Sequence, residues 1–124
     1  LVNIFLKNNR PMSFKIKSKE KENIGVIVVE GEVDMFSSPN LRDNLLPFFE
    51  KGVKGVIVDL SGVSFMDSSG IATLVEGLQW SKKNDKAFVL TGLGTNVENA
   101  LSLTKLNNVF TITSDMDDAY NKLG

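Results

Sequence analysis

The hydrophobic and polar positions of this chain repeat with the period of strands in some stretches and of helices in others. Phe14 and Ile16 alternate with lysines, so we predict a half-buried strand over residues 13–18. Residues 24–30 contain a run of branched apolar side chains, which predicts a second and more buried strand. A charged turn over residues 19–23 separates the two, and we expect an antiparallel hairpin.

The stretch from residue 55 to 78 organises the rest of the chain. Val56–Leu60 is a short apolar run that is typical of a strand buried on both faces. A helix follows, and one of its faces is apolar, with Ile71, Leu74, Val75 and Leu78. Between strand and helix lie Asp67, Ser68 and Ser69, residue types that favour a helix N-cap, followed by Gly70. We therefore predict a short loop and a helix that begins at a pair of hydroxyls.

The other helices show start and stop signals of their own. Ser38 followed by Pro39 is typical of a helix start with a hydroxyl cap. Pro47 lacks the backbone N–H that a helix interior needs, so this helix should kink or end near residue 46. Thr95 and Glu98 have the spacing of a capping box at the start of a later helix.

Two more short strands, over residues 87–91 and 109–113, and a terminal helix from Ser114 complete the predicted order, β-β-α-β-α-β-α-β-α. Because strands and helices alternate after the hairpin, we predict an α/β fold with a small mixed, mostly parallel sheet and right-handed crossovers. About four helices accompany this sheet, and periodicity leaves open how they divide between its faces.

Length and composition suit one small domain and exclude several classes of chemistry. The 124 residues are 42% hydrophobic, and the 14 basic side chains form no cluster of the kind that nucleic-acid binding needs. The chain contains no Cys and no His, which excludes thiol catalysis, the usual zinc ligand sets and a Ser-His-Asp triad. We expect no metal, no cofactor and no direct contact with nucleic acid.

No apolar run approaches the roughly 20 residues that cross a bilayer. Leu1–Leu6 is apolar but too short for a signal-peptide core, and no small-residue cleavage site follows it. We expect a soluble, cytoplasmic protein with a domain over residues 12–124 and an upstream extension over residues 1–11. A genuine helix or edge strand in that extension is the competing interpretation.

The candidate functional groups are acidic and hydroxyl side chains at strand ends: Asp34, Asp67, Ser68 and Ser69. The free amides and the dipole of the helix start would stabilise a phosphate on Ser68, whereas repulsion from the carboxylates would destabilise it. Such a balance suits a switch that changes a surface without unfolding the domain. On these residues alone, a simple capping arrangement is the commoner explanation, and Asp34 has the same plain interpretation as a turn residue.

Two segments of the chain carry a family resemblance. Gly31–Asp34 and Val56–Ile71 closely resemble the STAS domain of anti-sigma factor antagonists, and the part from Asp59 to Gly70 is the most specific. The resemblance covers residues 13–123 and implies a small sheet with helices packed mainly on one face. It also implies a cytoplasmic bacterial regulator of transcription that is not an enzyme. When unphosphorylated, such a regulator binds an anti-sigma factor with serine-kinase activity and so frees the sigma factor.

The same resemblance assigns roles to individual residues. Ser68 occupies the position that the anti-sigma kinase phosphorylates, which abolishes binding until a serine phosphatase removes the phosphate. Ser69 occupies a position that is Ser or Thr in the family, and Asp34 matches an Asp close to the phosphorylation site. Asp67 and Gly70 flank the site on either side.

Two other functions remain open on the sequence. The domain could be a stable subunit of another assembly, such as a lipid-transport complex or a sensory scaffold, in which Ser68 only caps a helix. It could also be a small enzyme or nucleotide-binding protein that uses Asp34, Asp67 and the two serines. The second alternative lacks an obvious group to activate a nucleophile, because the chain has no His and no Cys.

Overall fold

In a computed structural model, which describes residues 14–123, five strands form one sheet in the order of the sequence. The strands are β1 (Phe14–Lys21), β2 (Ile24–Val33), β3 (Gly55–Met66), β4 (Ala87–Thr91) and β5 (Thr111–Thr113). The helices are α1 (Ser38–Leu45), α2 (Ser68–Lys83), α3 (Thr95–Leu103) and α4 (Met116–Leu123), and a 3-10 helix (Leu46–Glu50) follows α1. The predicted extension over residues 1–11 lies outside the described residues.

The sheet is mixed, as predicted: β1 and β2 are antiparallel, and every later pair of neighbours is parallel. Alternate residues of β3 enter two different apolar clusters because successive side chains of a strand point to opposite faces. Val56 and Val58 join the larger cluster, under α1, α2 and α3, whereas Ile57 joins a smaller one under α4. Three of the four described helices therefore share one face, and α4 covers the other.

Pro47 ends the first α-helix where the sequence predicts. The α-helical segment stops at Leu45, and the chain continues as a 3-10 helix with Pro47 in its first turn. Phe48 and Phe49, which lie in this 3-10 helix, are still buried in the core. A proline inside the segment thus alters the type of helix without exposing its apolar face.

Four strand boundaries differ from the predictions, and one of them is the start of β5, which lies at Thr111 instead of residue 109. The charged turn predicted over 19–23 consists only of Glu22 and Asn23, both with positive φ. The pairing of β1 with β2 continues as far as Lys21 and Ile24, the residues on either side of this turn. β2 continues through residues 31–33, and β3 continues six residues beyond Leu60. The second halves of β2 and β3 pair with each other, and the register shifts twice along this pairing. Hydrogen bonds to a strand distant in sequence therefore extend both strands into segments whose own hydrophobic pattern only weakly predicts a strand.

Two predicted caps are wrong. Thr95 is already inside α3, whose N-cap is Gly94, and in the described part of the chain no side chain caps that helix. Ser38 likewise lies inside α1, after Ser37, which occupies the cap position without a side-chain cap bond. Within residues 14–123, no helix combines the length and the apolar character needed to cross a lipid bilayer.

Candidate functional site

The candidate site lies where β2 and β3 end, side by side, at the same edge of the sheet. Val33 and Met66 are partners in the parallel register, so the loops that follow them are neighbours. The backbone N–H of Asp67 donates to the carbonyl of Val33 at 3.0 Å. The loop before α1, with Asp34, and the junction before α2, with Asp67, are therefore joined directly.

The carboxylate of Asp67 caps α2. Its Oδ1 accepts from the backbone N–H groups of Ser69 (2.9 Å) and Gly70 (3.3 Å) and from the hydroxyl of Ser69 (2.5 Å). The Ser69 hydroxyl, followed by these two amides and that of Met35, lowers the pKa of Asp67 against the opposing effect of desolvation. Of the three cap candidates that the sequence offers, Asp67, Ser68 and Ser69, the structure uses the carboxylate of Asp67, and the helix begins at the two serines as predicted.

The two serines of the site have different environments. Ser68 is the first residue of α2 and is exposed, and among residues 14–123 its hydroxyl forms no hydrogen bond. Ser69 is half-buried, and its hydroxyl donates to Asp67. Of the two hydroxyls, that of Ser68 is the accessible one, and it does not cap the helix.

Gly70 lets α2 approach the ends of β2 and β3 closely. A Cβ at this position would lie 2.5 Å from Cγ of Met66 and 2.8 Å from Cγ1 of Val33, closer than ordinary contacts allow. Ser68 therefore rests on a tightly packed support rather than on a mobile segment.

Gly70→Ala is expected to lower the free energy of unfolding by roughly 1–3 kcal/mol, because the added methyl group overpacks this junction. Gly52→Ala is the matched control: no atom of residues 14–123 lies within 4 Å of a Cβ there, and a change below about 0.5 kcal/mol is expected. Urea unfolding followed by circular dichroism measures both. Equal stability of the two variants would show that the junction can relax.

Asp34 organises the loop between β2 and α1. Its Oδ1 accepts from the backbone N–H groups of Phe36 (2.9 Å) and Ser37 (3.1 Å). The Ser37 hydroxyl accepts from the N–H of Asp34 and donates to the carbonyl of Glu32, each at 2.9 Å. Asp34 thus has the turn role that its residue type predicts, close in the chain to the residues that contact Asp67. Ser37 was missed, although an Asp followed by a Ser three residues later could have indicated it.

Large apolar side chains are exposed beside these groups. Met35 is 67% exposed, Phe36 is 74% exposed and Phe65 is 46% exposed. None of these three residues was predicted as a functional residue. Phe65 pairs with Glu32 in the register of β3 and β2, so it belongs to the same end of the sheet as the two loops.

The comparison with protein families agrees with this architecture. The model of the STAS domain family matches residues 15–119, and the chain belongs to this family. The resemblance seen in Gly31–Asp34 and Val56–Ile71 is therefore confirmed.

Similar proteins carry the name that the resemblance indicates. An anti-sigma-B factor antagonist of Staphylococcus aureus is 28% identical over 98 residues, which cover 79% of this chain and 91% of that protein. An anti-sigma factor antagonist from Mycobacterium paratuberculosis superposes with a TM-score of 0.82 at 25% identity, covering 91% of this chain and 96% of that one. SpoIIAA, a Bacillus cell fate determinant, in its phosphorylated form, shares the fold at 17% identity, with a TM-score of 0.68 over 90% of this chain and 99% of that one.

Proposed function

We propose that this protein is an anti-sigma factor antagonist controlled by phosphorylation of Ser68. In its unphosphorylated form it binds an anti-sigma factor that is also a serine kinase, and this binding frees a sigma factor. The kinase phosphorylates Ser68, the complex is lost, and a serine phosphatase restores the active form. The observation that carries the proposal is the exposed hydroxyl of Ser68 at the start of α2, beside a Ser69 hydroxyl bound to Asp67.

Electrostatics explains how one phosphate could act as the switch. A phosphoserine carries about −1.5 to −2 charges at neutral pH, and here it would lie next to the ionised Asp67. The amides of Ser69 and Gly70 already donate to Asp67, so they offer the phosphate little compensation. The added charge therefore stays at the surface, where a partner that covered it would have to desolvate it.

The chain acts in this scheme as a substrate and a binding partner, not as a catalyst. Its sequence has no His and no Cys to activate the Ser68 hydroxyl, so the activating groups must come from the kinase. An accessible position is also what a phosphatase needs to remove the phosphate. A bacterial transcription regulator of this kind acts in the cytoplasm.

Phosphorylation by the cognate anti-sigma kinase and ATP tests the proposal. We expect about one phosphate per chain, located on Ser68 by mass spectrometry of peptides. Ser68→Ala should abolish incorporation, because no other hydroxyl of the site is equally exposed. Ser69→Ala is the matched control and should still be phosphorylated, since it removes the neighbouring hydroxyl and leaves Ser68 in place. Incorporation on Ser69, or none in the wild-type protein, would overturn the assignment.

A further inference from the structure

We propose that Met35, Phe36 and Phe65 form the apolar anchor by which the anti-sigma factor holds this domain; the inference rests on the function proposed above. Exposed single apolar residues are common on protein surfaces, but here three large ones lie at the same end of the sheet. Met35 and Phe36 are consecutive and are both more than two-thirds exposed. Aromatic and methionine side chains are enriched in the buried centres of protein interfaces.

The loop that carries Met35 and Phe36 is held in place before any partner binds. Asp34 accepts the N–H of Phe36, and the Ser37 hydroxyl connects the N–H of Asp34 with the carbonyl of Glu32. The two apolar side chains therefore project from a backbone that is already fixed at both ends. A partner loses little of its binding energy to ordering this loop, which is the advantage of a preorganised anchor.

The anchor is continuous with the phosphorylation site. The backbone N–H of Met35 contributes to the lowered pKa of Asp67, and the carboxylate of Asp67 accepts from the first turn of α2. The N–H of Asp67 in turn donates to Val33, two residues before Met35. A partner that covers Ser68 must therefore also cover the neighbouring loop. Anchor and switch belong to one contact surface, with Asp67 as the residue that connects them.

The chemistry of this surface describes the partner face that fits it. Three apolar side chains call for an apolar recess, and the ionised Asp67 beside them calls for a basic group at the rim of that recess. A kinase that transfers a phosphoryl group to Ser68 needs cationic groups at this place, because they stabilise the transferred charge. The anti-sigma kinase therefore fits this surface better than a second copy of the chain, which would bring another Asp67 to the contact.

Titration of the cognate anti-sigma factor tests the anchor with the double variant Met35→Ser/Phe36→Ser. We expect the dissociation constant to rise by about 100-fold or more, as for interface residues that dominate binding. Phosphorylation of Ser68 should slow through a higher KM with little change in kcat, because the hydroxyl and Asp67 are unaltered. Leu103→Ser is the matched control: Leu103 is 85% exposed at the far end of α3, and affinity should stay within about twofold. Thermal unfolding of each variant monitors folding.

Unchanged affinity of a folded double variant, with normal phosphorylation of Ser68, would overturn the anchor and leave the proposed function standing. Failure of the wild-type protein to bind or to be phosphorylated would instead overturn the proposed function. Sedimentation gives a third outcome. A wild-type dimer that the double variant converts to monomer, with unchanged affinity for the kinase, would assign these side chains to a second copy and reject the inference.

Discussion

Ser68→Asp is expected to weaken the complex with the anti-sigma factor by at least about 100-fold, which corresponds to roughly 2.7 kcal/mol of binding free energy. The substitution places a carboxylate at an exposed position directly after the ionised Asp67. A partner that covers this position would have to bury a second negative charge without a matching cation. Isothermal titration calorimetry with the purified anti-sigma factor measures the effect.

The fold of this variant should remain intact. An acidic residue in the first turn interacts favourably with the helix dipole, and repulsion from Asp67 offsets that gain, so stability should change little. Ser68→Ala is the matched control, because it removes the phosphorylated hydroxyl without adding charge, and it should bind as the wild-type protein does. Full binding by Ser68→Asp would reject the switch and favour a domain that serves as a permanent subunit of another assembly.

Asp67→Ala is expected to lower the free energy of unfolding by about 2 kcal/mol, the upper part of the range for a lost helix cap. The carboxylate accepts from the N–H groups of Ser69 and Gly70 and from the hydroxyl of Ser69, so its loss leaves the first turn of α2 without a cap. Asp67→Asn is the matched control, since its amide oxygen can still accept these bonds, and it should lose less. Denaturant unfolding at pH 7 measures all three proteins, and equal stability of wild type and Asp67→Ala would contradict the capping role.

The lowered pKa of Asp67 determines how its contribution to folding stability changes with pH. Folding lowers the pKa of Asp67, mainly through the hydroxyl of Ser69, so the ionised carboxylate favours the folded state. Its electrostatic contribution is fully present above the unfolded pKa of about 3.9 and is lost as the pH falls through the lower folded pKa. The stability difference between wild type and Asp67→Ala should therefore shrink below about pH 4. A difference that stayed constant there would show that the charge of Asp67 does not matter.

The sequence alone determined the order of the elements and the sheet that they form. A short apolar run with β-branched residues marks β3, and helical spacing brings Ile71 and Leu74 to the buried face of α2. Pro47 marked the end of α1, because a residue without an N–H interrupts a helix anywhere beyond its first turn. These are local properties of backbone and side chains, so they can be inferred without knowledge of the partners.

Only the tertiary structure decided the ends of the strands and the roles within the site. β2 and β3 pair far beyond their apolar cores because each supplies the other's hydrogen-bond partners, from segments about 30 residues apart. Ser68 and Ser69 are the same residue type, so their sequence does not distinguish them. In the folded chain the carboxylate of Asp67 accepts from the hydroxyl of Ser69, whereas Ser68 is exposed. The hydrogen bond from the N–H of Asp67 to the carbonyl of Val33 likewise joins two segments that no local pattern connects, since pairing of the strands brings them together.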